Sequence, residues 1–210
     1  MTQDTPNPRS LKFIPGRQVL GEGNGTRDFD SLRAAQVSPL ARGLFRVEGI
    51  QRVFMGSDFV SVTIQEGQDW SLLKPEVFSV MTDFFQSGQP VLIQDQEQAP
   101  NSDTVITDED DDVVAMVKEL IETRIRPSVQ EDGGDIVYRG MTPEGIVRLQ
   151  LQGSCAGCPS SSVTLKHGIE NMLMHYVPEV KGVEEFVDEE LQRVNEEAFA
   201  MVEKKAEQKD

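Results

Sequence analysis

Apolar and polar positions alternate along the first 94 residues in a way that predicts short strands and two helices. Residues 59–64 alternate in polarity, and the turn residues Gly56-Ser57-Asp58 before them predict a hairpin with Val53 and Phe54. Ser38 and Pro39 form a helix cap followed by a first-turn proline. The elements predicted in chain order are a strand at 11–14, a helix from 39 to Gly49, the hairpin, a helix from Pro75 to Gly88 and a strand at 91–93.

The pattern after residue 111 predicts helices and strands in the same coarse order. Apolar residues at helical spacing run from Val113 to Ile125, and Pro127 is expected to kink or end that helix. Later segments predict strands at 136–139 and 146–151, a helix at 159–176 and a strand at 182–187. This order is α-β-β-α-β, and it places two helices on one side of a small mixed sheet.

The chain is therefore predicted to be an α+β protein of two small domains, each with two helices packed on a small mixed sheet. The expected boundaries are residues 1–94 for the N-terminal domain, 95–111 for a flexible acidic linker, 112–187 for the C-terminal domain and 188–210 for a charged helical tail. The linker assignment rests on its polar composition and its closing run of acidic residues.

Composition narrows the choice of partners. The chain has 36 acidic and 20 basic residues, for a net charge of −16. Such a charge repels phosphate backbones and anionic lipid, so nucleic acid and membranes are not expected as partners.

The N-terminus has neither a secretory signal pattern nor a transit-peptide pattern. Two closely spaced cysteines and no others favour a reducing compartment over a secreted disulfide framework.

The strongest chemical signal is the cysteine pair within residues 153–162, which read Gly-Ser-Cys-Ala-Gly-Cys-Pro-Ser-Ser-Ser. The spacing of Cys155 and Cys158 lets both sulfurs face one point, and Gly157 permits a tight turn between them. Pro159 predicts a helix start, whose positive end favours a thiolate at Cys158. The loop is polar, so neither thiol is expected to pack in a core.

Three chemistries use such a pair. A structural zinc ion needs four ligands, but His167 and His175 are predicted to be surface residues of the following helix that do not face the cysteines. Dithiol–disulfide exchange needs only the pair itself. An iron–sulfur cluster needs four thiolates, so two chains would have to share it. No other catalytic pattern occurs in the sequence, and no enzymatic activity is predicted.

Three segments resemble one family. Residues 113–120, 126–135 (Arg-Pro-Ser-Val-Gln-Glu-Asp-Gly-Gly-Asp) and 151–161 are similar to the C-terminal domain of NifU-like proteins. Thr5-Pro6-Asn7-Pro8, with 11–13 and 38–41, resembles the N-terminal domain of the mitochondrial Nfu-type scaffold proteins.

The resemblance implies a non-enzymatic carrier in the mitochondrial matrix. It implies a [4Fe-4S] cluster held between subunits of a homodimer, or of an assembly of dimers, by Cys155 and Cys158 of each chain. Such a carrier receives its cluster from iron–sulfur donor proteins and delivers it to client apoproteins, such as lipoate-synthesis and respiratory-chain proteins. The alternative is a dithiol–disulfide oxidoreductase that uses the same pair. The N-terminal domain has no cysteine or histidine, so we expect it to contribute neither ligands nor much stability to the site.

Overall fold

The computed structural model describes residues 1–93, 102–156 and 159–186, except for the side chains of 159–162 and 164. Within these ranges the chain forms two sheets and two separate apolar cores. The predicted α+β class with two small domains is confirmed. The predicted tail at 188–210 lies outside the described residues.

The N-terminal domain is built on a five-stranded sheet. Its strands are β1 (Thr2–Asp4), β2 (Ser10–Phe13), β3 (Arg27–Phe29), β4 (Ile50–Met55) and β5 (Val60–Ile64), in the spatial order β1-β2-β5-β4-β3. All four pairings are antiparallel, so this sheet is not mixed as predicted. The expected strand at 91–93 does not join it, because the Ile93 N–H donates to the Val37 carbonyl instead.

Two helices cover one face of that sheet. Helix α1 (Pro39–Leu44) begins at the predicted cap, where the Ser38 hydroxyl accepts from the Ala41 N–H at 3.2 Å. Helix α2 (Trp70–Ser87) begins five residues before the predicted start at Pro75. The carboxylate of Asp69 accepts from the Ser71 N–H at 2.8 Å, and this cap lets the helix start earlier, with proline inside its second turn.

The C-terminal domain follows the predicted order. A continuous helical segment comprises α3 (Asp112–Leu120), a π-helical turn (Ile121–Ile125) and α4 (Arg126–Glu131). The proline at 127 does not end the helix, because the wider π turn before it changes the hydrogen-bonding pattern where the proline N–H is missing. Strands β6 (Gly134–Met141), β7 (Ile146–Gly153) and β8 (Gly182–Glu185) form a mixed sheet, and α5 (Pro159–Tyr176) connects β7 to β8.

The described part of the predicted linker contacts the C-terminal domain. Asp103 pairs with Arg126 at 2.9 Å and accepts a hydrogen bond from the Tyr138 N–H at the edge of β6. Asp110 pairs with the ammonium of the buried Lys118 at 2.7 Å. Residues 102–111 therefore help to cover the sheet edge and the first helix. No helix in the described ranges is long and apolar enough to cross a membrane.

Candidate cysteine site

The cysteine loop connects the end of β7 to the start of α5. Strand β7 ends at Gly153, whose φ of 65° lies in the left-handed region that a glycine adopts without strain. Residues 154–156 then form a turn in which the Ala156 N–H donates to the Gly153 carbonyl at 3.2 Å. Helix α5 begins at the predicted proline. Gly157 and Cys158 lie outside the described residues, so the geometry of the site is that of Cys155.

Cys155 is buried, contrary to the expectation that neither thiol packs in a core. Its side chain is 3% exposed and belongs to the apolar cluster of the C-terminal domain. Burial raises the pKa of the Cys155 thiol to about 11; the Ser154 hydroxyl opposes the rise, and the carboxylates of Asp132 and Asp135 add to it. In this arrangement Cys155 is a protonated thiol at neutral pH.

The turn at residues 132–135, between α4 and β6, supports the cysteine loop. The Ser154 hydroxyl donates to the Asp132 carbonyl at 2.8 Å, and the Ser154 N–H donates to the Gly133 carbonyl at 3.3 Å. A Cβ atom at Gly134 would lie 2.5 Å from the Cys155 sulfur. Residues 132–135 belong to a segment that resembles the family, but their contact with the cysteine loop was not predicted. Their signal was the double glycine between two aspartates, which allows this close approach.

A buried ionic network fixes that turn. Asp135 is 1% exposed and accepts from the Arg126 guanidinium at 3.0 Å. Arg126 also pairs with Asp103 and Glu122, at 2.9 and 3.0 Å. Since a buried carboxylate needs hydrogen-bonded partners, this network ties the turn to α4 and to the segment before α3.

The N-terminal domain also contacts the end of α4 and the 132–135 turn, and these contacts were not predicted from the sequence. The Lys12 ammonium donates to the Gln130 and Glu131 carbonyls at the end of α4, at 3.0 Å each. The Thr26 hydroxyl donates to the Asp135 carboxylate at 2.6 Å. These contacts place one face of the N-terminal sheet beside the cysteine loop.

Asp28 lies at the same face. Its carboxylate pairs with Arg52 at 2.6 Å. Burial raises the pKa of Asp28 to about 6, and the Arg52 guanidinium and the backbone N–H of Gly153 oppose that rise. The pKa of Asp28, in the N-terminal domain, therefore depends on the backbone of Gly153, the last residue of β7, two positions before Cys155.

A cavity of about 280 Å³ adjoins Cys155. Most of its walls come from the C-terminal domain, and Pro6 of the N-terminal domain contributes to them. Its apolar lining comprises Pro6, Ile125, Val129, Leu165, Ile169 and Met172.

The two histidines lie on the surface, as predicted. The exposed His167 lies 3.4 Å from Glu170, and His175 packs its ring edge against Tyr176. Among the residues that the structure describes, no group of three or more His, Cys, Asp or Glu side chains is arranged to hold a metal ion. Neither histidine therefore supports a zinc site at Cys155.

Comparisons with known proteins agree with this two-domain arrangement. Residues 1–88 match the family model described as the scaffold protein Nfu/NifU N terminal, and residues 117–184 match the NifU-like domain. A protein of Drosophila grimshawi named "NFU1 iron-sulfur cluster scaffold homolog, mitochondrial" is 56% identical over 209 residues, covering 100% of this chain and 68% of that protein. Its namesake in Drosophila persimilis is 56% identical, with coverages of 100% and 72%.

A solved structure also matches part of the chain. The solution structure of a NifU-like protein from Saccharomyces cerevisiae is 24% identical and covers 45% of this chain and 84% of its own, with a TM-score of 0.42. The two family models and the relatives that match along the whole of this chain define the class as a two-domain scaffold protein. The chain belongs to the Nfu/NifU family of iron–sulfur cluster scaffold proteins.

Proposed function

We propose that this protein is a mitochondrial carrier of iron–sulfur clusters and that Cys155 and Cys158 are its ligands. The observation that carries the proposal is the pairing of both family domains in one chain whose two cysteines stand two positions apart, at the junction of β7 and α5. The names of its relatives, which contain "iron-sulfur cluster scaffold" and "mitochondrial", support the cargo and a mitochondrial location.

The cluster is a [4Fe-4S] cluster shared by two chains. Four thiolates hold such a cluster, and each chain has two cysteines in total. The loaded form is therefore a homodimer or an assembly of dimers, with the two cysteine loops facing each other across a symmetry axis. A cluster held by one loop from each chain is exchangeable, which suits delivery.

The role is transfer without catalysis of a chemical reaction on a substrate. The carrier takes its cluster from donor proteins and passes it to apoproteins, among them lipoate-synthesis and respiratory-chain proteins. The strongly negative chain, with a net charge of −16, favours donors and clients that present basic surfaces.

Anaerobic reconstitution tests the proposal. The purified full chain is loaded with iron and sulfide, and its iron content, Mössbauer spectrum and native mass are measured. We expect about four irons per two chains and a dimeric mass; Cys155→Ser and Cys158→Ser should each lose the cluster. A monomer that holds a full cluster would contradict the shared site. A chain that retains no iron but reduces disulfide substrates would establish the dithiol alternative instead.

A further inference from the structure

The contact between the domains is centred on a lysine in an unusual position. Lys12 lies on β2, between β1 and β5 in the N-terminal sheet, and is only 9% exposed. Its ammonium lies 4.1 Å from the centre of the Phe59 ring and donates to the last two carbonyls of α4. A cation at a helix C-terminus is favourable because it satisfies carbonyls that have no partner within the helix. The N-terminal domain thus caps the helix that leads into the 132–135 turn.

The glycines of the cysteine loop and its supporting turn allow a close approach between the domains. A Cβ atom at Gly153 would lie 2.7 Å from the Phe54 ring, and one at Gly133 would lie 2.5 Å from the Ser61 hydroxyl. Thr26 completes the contact through its hydrogen bond to Asp135. The Gly153 contact lies on the cysteine loop, and the Gly133 and Asp135 contacts lie on the 132–135 turn that supports it.

This docked arrangement keeps Cys155 away from a second chain. The thiol is 3% exposed, and Pro6 of the N-terminal domain lines the cavity beside it. A cluster shared by two chains requires the sulfur atoms of both loops to reach a common centre outside each domain. The loop therefore has to leave its present position before such a cluster forms.

We propose that the N-terminal domain covers the cysteine loop through Lys12 and Thr26, and that the two domains separate before Cys155 takes up a cluster. The contact combines these polar groups with the buried rings of Phe54 and Phe59, which belong to neither apolar core. Because each domain has an apolar core of its own, each can keep its fold when the two separate. The covering itself does not depend on the proposed function; only its consequence for cluster uptake does.

Thiol labelling tests the covering without any cluster. In the full-length Cys158→Ser chain, Cys155 is the single remaining thiol, so its rate of reaction with a maleimide reports how often it becomes accessible. We expect Lys12→Met and Thr26→Val each to increase the rate by about tenfold, which corresponds to about 1.4 kcal/mol of docking free energy. Unchanged rates in both variants would overturn the proposal.

Matched controls separate domain opening from general loosening. Lys181 also donates to a backbone carbonyl, that of Pro178, and Thr123 to that of Glu119, but both are exposed and outside the domain contact. Lys181→Met and Thr123→Val should leave the labelling rate unchanged. The rate in the Lys12 and Thr26 variants should depend on urea less steeply than global unfolding does, because opening exposes the contact and leaves both apolar cores buried. A urea dependence equal to that of global unfolding would overturn the proposal.

Cluster uptake tests the consequence, with Cys158 restored. We expect Lys12→Met and Thr26→Val to load iron faster than the unmodified chain and to reach the same final content. Slower loading in the variants would show that the N-terminal domain supports the ligating arrangement, and would overturn the proposal. If labelling accelerates as expected but no chain retains a cluster, the proposed function fails while the covering stands.

Discussion

The interiors of the two domains differ in kind from the contact between them. Each interior is an apolar cluster, with Phe13, Leu40 and Val62 among the buried residues of the first and Ile121, Leu149 and Leu173 among those of the second. The contact between the domains instead combines an ammonium, a hydroxyl and carboxylates with the rings of Phe54 and Phe59. Apolar burial stabilises each domain separately, whereas the contact buries fewer apolar side chains and contributes a smaller free energy. The difference suggests that the folds persist when the contact opens.

The largest loss of stability is expected when the ionic network around Arg126, in the C-terminal domain, is broken. Arg126 is 4% exposed and holds Asp135, which is itself 1% exposed. Arg126→Met removes the partner and leaves a buried carboxylate uncompensated, so we expect a loss of about 3–5 kcal/mol in the free energy of unfolding, measured in urea.

An exposed ion pair provides the control for that variant. Arg148 pairs with Glu184 on the surface, where both side chains are nearly half exposed. Arg148→Met should cost about 0.5 kcal/mol or less. Equal losses in the two variants would show that burial of the network contributes nothing to its strength.

The second effect is a pH dependence that originates on the N-terminal side of the contact. Burial raises the pKa of Asp28 to about 6 from an ordinary value of 3.8. Because the folded state binds this proton more tightly, the stabilisation is fully present below the ordinary pKa and is lost as the pH rises through about 6. Asp28 should account for a fall of about 2 kcal/mol between pH 4 and pH 7.5.

The Asp28→Asn variant isolates this contribution. Its free energy of unfolding in urea, compared with that of the unmodified chain at both pH values, should lack about 2 kcal/mol of the decrease. Parallel pH profiles for the two chains would show that Asp28 titrates at its ordinary pKa in the folded protein.

The third effect concerns the space beside the thiol. A Cβ atom at Gly134 would lie 2.5 Å from the Cys155 sulfur and 2.7 Å from the Gln152 carbonyl oxygen. Because one of these neighbours is backbone, Gly134→Ala should cost about 2 kcal/mol in the free energy of unfolding. Gly168, inside α5, has nothing within 4 Å of the same position. Gly168→Ala should therefore be neutral or stabilise the chain by up to about 1 kcal/mol.

Several elements were predicted correctly because nearby residues alone determine them. The hairpin of β4 and β5, the Ser38 cap and the order of the C-terminal elements all follow from periodicity and turn residues. The short polar strands β1 and β3 were missed, since they are strands only because a neighbour pairs with them.

The chemistry of the candidate site remains a prediction from the sequence, whereas its surroundings became visible only in the structure. Spacing and resemblance singled out Cys155 and Cys158, and the junction of β7 and α5 was predicted. The burial of Cys155 was not, because it depends on residues distant in sequence, such as Gly134 and Val129. The roles of Lys12 and Thr26 arise from contacts across more than 100 positions, for which the sequence alone carries no local signal.

The smallest expected effect distinguishes a packed thiol from an exposed one. If Cys155 belonged to a polar surface loop, Cys155→Ala would leave the free energy of unfolding unchanged. Because the side chain is 3% exposed and packs with the C-terminal core, we expect a loss of about 1 kcal/mol, the transfer and cavity cost of one buried sulfur atom. Urea unfolding of the full chain without iron measures it, and Cys158→Ala provides a comparison at the other cysteine of the motif. A Cys155→Ala chain as stable as the unmodified one would mean that the thiol spends most of its time outside the core, with the loop already open.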